Sequence, residues 1–254
     1  MLLDRFQEPA GAERFSTPRV LLWQARAAYV GPGMRLSPHR NAVATIALGL
    51  ERGFGYTVFD GRVPHRERLR GALIPPNTLH HLETQGAMVF VYLDALSDDL
   101  SALRRRNPDF GRSPTPVSKL TPNLSAPALA DWLSARIRLD GRPRETGALT
   151  PVVRAIDDRP DSFRSVSDAA RMAGLSSSRF QHVFREAVGV PFRRYRLWRR
   201  MGVVARALAA RASLTDAAHE AGFSSSAHLS STFRTMFGIT PSSLLTAGAR
   251  IECI

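Results

Sequence analysis

Residues 165–178 read SVSDAARMAGLSSS, and residues 213–226 read SLTDAAHEAGFSSS. At an offset of 48, nine of these fourteen positions are identical. Past the serines the register slips by one residue, so that Phe180, Phe184 and Gly189 match Leu229, Phe233 and Gly238. Two copies are too few to stack into a solenoid, and they point to one duplicated supersecondary unit. Each copy has the physical signs of a helix-turn-helix. Ser167 and Thr215 are placed to cap a first helix, with Asp168 and Asp216 at its positive end. Alanines keep that helix slim, and Gly174 and Gly222 supply the positive φ at which it ends. The serine triplets then cap a second helix. It buries Phe180, Val183, Phe184 and Ala187 in one copy, and Leu229, Phe233, Met236 and Phe237 in the other. These i, i+3, i+4, i+7 stripes leave one face of each second helix free.

The segment between the copies is expected to be a strut. PFRRYRLWRRMGVVARALAA holds no strong breaker until past Ala210, and Pro191 suits the start of a helix. Phe192, Tyr195, Trp198, Val204, Ala205 and Leu208 supply its buried face. A helix of this size is roughly 25–30 Å long, against about 34 Å between successive turns of one DNA groove.

Charge supports a polyanionic partner. The chain of 254 residues carries a formal net charge of +13. Residues 1–110 hold 14 basic and 11 acidic side chains, whereas 111–254 hold 21 and 11. From Arg179 to Arg211 there are nine arginines and one acid, Glu186. An excess concentrated in one half suggests two modules, one of which meets a polyanion.

Other classes are set aside on residues. The longest apolar run, around Asn41 to Leu50, is too short to span a bilayer. The start MLLDRFQEPA has no apolar signal-peptide core, and cytoplasmic localisation is expected. The single cysteine, Cys253, forbids an internal disulfide and a Cys-based zinc cage. Repair of alkylated DNA by a reactive cysteine in the first half fails for the same reason.

Residues 1–95 have a strand-and-turn texture: VLLWQARAAYV, NAVATIALGL, GFGYTVFD, GALIPP and GAMVFVYLD, separated by Gly, Pro and Asn. A small antiparallel sandwich or barrel is expected. Helices are expected over 97–106 and 125–138, with a Pro-rich loop or linker between them. The fold class is therefore α+β with two domains. Its parts are a β module over 1–106, a Pro-rich loop and connecting helix over 107–144, and an all-α module over 145–254.

The second half resembles the AraC/XylS family of transcription regulators, whose DNA-binding domain is two helix-turn-helix units joined by a long helix. The run GFSSSAHLSSTFRTMFGITP carries the densest match. Ala170, Gly174, Phe180, Phe184, Gly189, Tyr195, Arg199, Ala205 and Leu208 extend it back through the first unit and the strut. The resemblance covers roughly 145–250, with LTPVVRAIDD as the first helix. The sequence PSSLLTAGAR lacks the aromatic and arginine that the family often carries after the proline, which is expected to alter the last helix and not the fold. The resemblance implies double-stranded promoter DNA as partner, contact with RNA polymerase, and a small-molecule effector in the first domain. It also allows a homodimer, through the helices at 97–106 and 125–138. Activation or repression is left open.

Opposite the buried stripes, the helical wheel turns Ser178, Gln181, His182 and Arg185 outward, with Arg179 beside them. On the second reading helix it turns out Ala227, Ser230, Ser231 and Arg234. Gln181 suits adenine, and Arg185 suits guanine or phosphate. The small residues of the second helix suit backbone and thymine methyls, so the first unit is expected to supply more of the specificity. Arg193, Arg194, Arg196 and Arg199 are expected at phosphates or in solvent. The segment LIPPNTLHHLETQGAMVFVYLD resembles the second half of a cupin barrel, which makes His39 and His80 candidate effector-pocket residues. The cupin metal motif is incomplete at His39, so no metal or other cofactor and no catalytic residue is expected. The alternative is a metal-dependent cupin enzyme fused to a DNA-binding module.

Overall fold

The computed structural model describes residues 15–23, 26–61, 63–84, 86–106, 124–137 and 146–254. Most of the expected Pro-rich loop therefore lies outside the described residues. The first half forms strands β1 (Arg19–Trp23), β2 (Arg26–Pro32), β3 (Ala44–Gly49), β4 (Phe54–Val58), β5 (His65–Leu69), β6 (Gly71–Ile74), β7 (His80–Glu83) and β8 (Ala87–Leu93). Helices α1 (Asp99–Arg106) and α2 (Ala126–Ile137) follow. The second half is α3 (Thr150–Asp158), α4 (Val166–Met172), α5 (Ser177–Val188), α6 (Phe192–Ala209), α7 (Leu214–Glu220), α8 (Ser226–Phe237) and α9 (Pro241–Thr246). It ends in β9 (Arg250–Cys253).

The strands make two sheets, ordered β6-β3-β8-β2-β1-β9 and β5-β4-β7. Neither closes on itself, so the fold is an open two-sheet sandwich and not a barrel. Alternation along each strand sorts its side chains. Val89, Val91 and Leu93 of β8 face outward, beneath Leu103 of α1 and Leu129, Leu133 and Ile137 of α2. Met88 and Phe90 point between the sheets, among Phe54, Tyr56, Ile74 and Leu82. Buried Arg26 donates to both oxygens of Asp99 at 2.7 and 2.8 Å, which anchors the start of α1 to β2.

One strand was not expected. β9 follows the last helix of the second half, yet it pairs in parallel with β1, from Arg19↔Arg250 to Leu22↔Cys253. The Arg19 guanidinium grips the Glu252 carboxylate at 2.8 and 3.1 Å beside it. The chain thus crosses from the helical module back to the sheet. The helical core crosses the boundary as well, since it takes in Ala42, Val43 and Leu96 of the β module.

Candidate nucleic-acid interface

The two repeats fold into equivalent units. Their first helices are capped by Ser165 and Ser213, not by Ser167 and Thr215 as expected. The Ser165 hydroxyl accepts from the Asp168 N–H at 3.2 Å, and Ser213 accepts from Asp216 at 3.1 Å. An acid three residues beyond a serine is the capping-box spacing, and it moves each helix start two residues earlier. Gly174 and Gly222 have φ of 66° and 73°. Ser176 and Ser225 cap the reading helices α5 and α8, each cap contributing about 1 kcal/mol. Both reading helices end at a left-handed glycine, Gly189 and Gly238.

Between them α6 runs for 18 residues, about 27 Å by its rise. Its buried side chains are Phe192, Tyr195, Trp198, Met201, Val204 and Ala207. Ala205 and Leu208, expected inside, are only half-buried.

On α5 the side chains of Ser178, Arg179, Gln181, His182 and Arg185 are all exposed. His182 lies 3.4 Å from Glu186 one turn on. On α8, Ala227, Ser231 and Arg234 are exposed and Ser230 is half-buried. Arg193 is exposed at the start of α6.

Other arginines of the strut are committed inside the protein. Arg199 contacts Asp94 at 3.1 Å and Asp157 at 2.6 Å; burial works to lower its pKa, but Tyr195, Asp94 and Asp157 together raise it. Arg194 is half-buried and donates to the Arg40 carbonyl. Arg196 donates to the Pro160 carbonyl at 3.3 Å. Arg200 stacks over the Phe223 ring at 3.9 Å and donates to the Ala221 carbonyl at 2.6 Å. Of the arginines expected at phosphates or in solvent, Arg199 is thus paired with two carboxylates, while Arg194 and Arg196 are half-buried and spend a donor on main-chain carbonyls. Local sequence shows a basic helix, but not the acceptors that other segments bring to it.

The β module meets both reading helices near their C-terminal ends. At α8, Ser37 donates to the Gly238 carbonyl through its N–H (2.9 Å) and its hydroxyl (2.8 Å). The Arg40 N–H reaches the Thr235 carbonyl at 3.3 Å, and the Asn41 side chain reaches that of Met236 at 2.8 Å. These bonds satisfy carbonyls that a helix end leaves orphaned. At α5, a Cβ on Gly189 would stand 3.6 Å from Pro76.

The segments 37–41 and 75–80 are themselves joined by paired backbone bonds between His39 and His80, both 3.0 Å. The two rings lie 4.3 Å apart and are buried. Each Nδ1 sits 2.9 Å from a carbonyl, Ser37 or Thr78, and so carries the proton it donates. Burial pushes both imidazoles down, His80 to about 4. Among the described residues no three His, Cys, Asp or Glu side chains gather as a metal-ligand set. His39 lines a cleft beside α8, and neither His39 nor His80, both expected in an effector pocket, lines the apolar cavity between the modules.

That cavity, about 260 Å³, lies between the β1–β2–β8 face and helices α6, α8 and α9. Its lining includes Tyr29, Phe90, Met201, Phe233, Phe237 and Leu244, with exposed Arg206 also on its wall. Sequence patterning could not reveal it, because its walls come from both modules.

Residues 169–247 match the family model described as a helix-turn-helix domain. This segment is a helix-turn-helix domain. No curated protein matches the chain by sequence. Among solved structures, the chain is similar to ToxT from Vibrio cholerae at a TM-score of 0.55 and 10% identity, over 88% of this chain and 98% of that one. It is also similar to ToxT bound to (E)-4-(8-methylnaphthalen-1-yl)but-3-enoic acid, at 0.54 and 10%, over 88% and 99%. A third, unsaturated fatty acid bound ToxT, gives 0.51 and 11%, over 87% and 95%. At such identity these likenesses establish a shared fold: a β-rich module followed by a helical module with two helix-turn-helix units. Among the described residues no helix is long and apolar enough to cross a membrane.

Proposed function

We propose that this chain is a sequence-specific DNA-binding regulator of transcription, non-catalytic and cytoplasmic, whose occupancy of promoter DNA is tuned by a small amphipathic effector. One observation carries the reading: two equivalent helix-turn-helix units sit on one helix about 27 Å long, each with an exposed reading face. Ser178, Arg179, Gln181, His182 and Arg185 form one face, and Ala227, Ser230, Ser231 and Arg234 the other. Arg193 adds a phosphate contact.

The effector site in this reading is the cavity between sheet and helices. Its walls are mostly apolar, and Arg206 offers a cation to an acidic head group. The acids bound to ToxT have this chemistry. Division at 106 and 145 separates the two modules, while β9 ties them together. A homodimer through α1 and α2, and contact with RNA polymerase, complete the reading.

Footprinting of the full chain on a bound duplex tests it. Two protected segments about one helical turn apart are expected. A single short protected segment would contradict reading by both units.

A further inference from the structure

A second cleft, of about 400 Å³, separates the β module from the outer side of α8. It is lined by two arginines from different modules: Arg40, between β2 and β3, and Arg234 of α8. Ser37, Ser231 and Thr235 add hydroxyls, the buried His39 also lines it, and no carboxylate among the described residues does. The Arg40 guanidinium is oriented by a 2.7 Å bond to the Asn77 carbonyl, a contact that fixes its direction without neutralising its charge. Behind it, the half-buried Arg194 donates to the Arg40 carbonyl. The Arg194 pKa is lowered first by burial and then by the charge of Arg40, which agrees with a local excess of positive field. Two guanidiniums facing one cleft without a counter-charge is the arrangement that phosphate recognition uses.

We propose that this cleft is a phosphate-binding site shared by the β module and the second reading unit, with Arg40 and Arg234 as its cations. The inference rests on the reading of α8 as a DNA-facing helix, since Ser231 and Arg234 belong both to its outward face and to the cleft. The phosphoryl group has two possible sources, the DNA backbone beside α8 and a free phosphorylated small molecule. The shared residues favour the backbone. DNA seated there grips both modules at once, so it binds the docked arrangement of β module and α8 more tightly than a separated one. By linkage, any ligand that separates the modules then lowers DNA affinity by the same factor as DNA lowers the affinity for that ligand.

The test uses the full chain with Arg40→Gln, Arg40→Lys and Arg234→Gln. Affinity for one selected duplex is measured across salt concentrations, and for its point mutants at one salt. With the backbone in the cleft, Arg40→Gln flattens the slope of log affinity against log salt by about 0.9 and leaves sequence preference unchanged. Arg234→Gln flattens it similarly, and Arg40→Lys keeps the slope, because lysine preserves the charge. Thermal melting in inorganic pyrophosphate without DNA tests the other source. A rise in Tm for the wild type that Arg40→Gln abolishes, with no change in the DNA slope, assigns the site to a free phosphate compound. An unchanged slope together with no Arg40-dependent rise in Tm overturns the proposal. Failure of the wild type to prefer any duplex counts against the DNA reading of α8 and not against the cleft, which the pyrophosphate measurement judges separately.

Discussion

The buried carboxylate of Asp94, just past β8, accepts the Tyr195 hydroxyl of α6 at 3.0 Å. Trp198 Nε1 and Arg199 donate to the same carboxylate at 3.3 and 3.1 Å. One acid of the β module thus holds three side chains of the strut between the readers. Asp94→Ala leaves a buried hydroxyl, an indole N–H and part of a guanidinium without their acceptor. A loss of about 3 kcal/mol is expected, with a smaller loss for Asp94→Asn, measured by urea unfolding. A loss below about 1 kcal/mol would show that the contact is not structural.

Two turn glycines with similar backbones are expected to respond differently. Gly174 and Gly238 have φ of 66° and 80°, but only Gly238 is crowded. A Cβ there would stand 2.7 Å from the Ser37 carbonyl oxygen and 2.8 Å from His39 Nδ1, whereas nothing lies within 4 Å of one on Gly174. Gly174→Ala is expected to cost about 1 kcal/mol, from backbone strain alone. Gly238→Ala is expected to cost about 3 kcal/mol and to weaken protection of the α8 carboxyl end in hydrogen exchange. Equal costs would mean that the segment 37–41 does not press on α8.

Acid should loosen the joint between the two loop segments. In the folded protein the His80 pKa is lowered to about 4, chiefly by burial and then by the charge of His39. The unfolded chain, with an ordinary histidine pKa of about 6.5, therefore binds protons more readily over this range. Stability from neutral His80 is full above about pH 6.5 and falls as the pH drops toward 4. His39, lowered in the same direction, adds to the effect. His80→Gln should be less stable at pH 7 and lose less stability between pH 7 and pH 4.5, as read by Tm. An acid loss as steep as that of the wild type would place the sensitivity elsewhere.

The repeat, its glycine turns and the inward stripes of α5 and α8 were legible in the sequence because each shows in residue identities and spacings along the chain itself. The caps were legible in principle, since Ser165 and Ser213 each stand three residues before an acid, though Ser167 and Thr215 sit closer to the apolar pattern. What local pattern cannot show is a partner far along the chain. Nothing near Arg199 announces Asp94, nothing in RIEC announces pairing with β1, and nothing near Gly238 announces Ser37. The interfaces between modules, where the cavity and the cleft lie, are made of such contacts.

The two readers should divide their labour. Gln181 and His182 offer side chains long enough to pair with base edges, whereas Ser230 and Ser231 are short. Replacing the first pair with alanine is expected to weaken discrimination among point-mutated sites by about 1–3 kcal/mol at the positions read. Replacing the second pair should change it less. Equal loss of discrimination in both variants, measured by competition binding, would remove the asymmetry.

The most direct measurement is selection of duplexes from a random pool by the full chain, followed by sequencing of the bound fraction. The account predicts an enriched motif in two segments separated by about one helical turn, with the segment read by α5 more sharply defined. A bound fraction no different in sequence from the starting pool would contradict it.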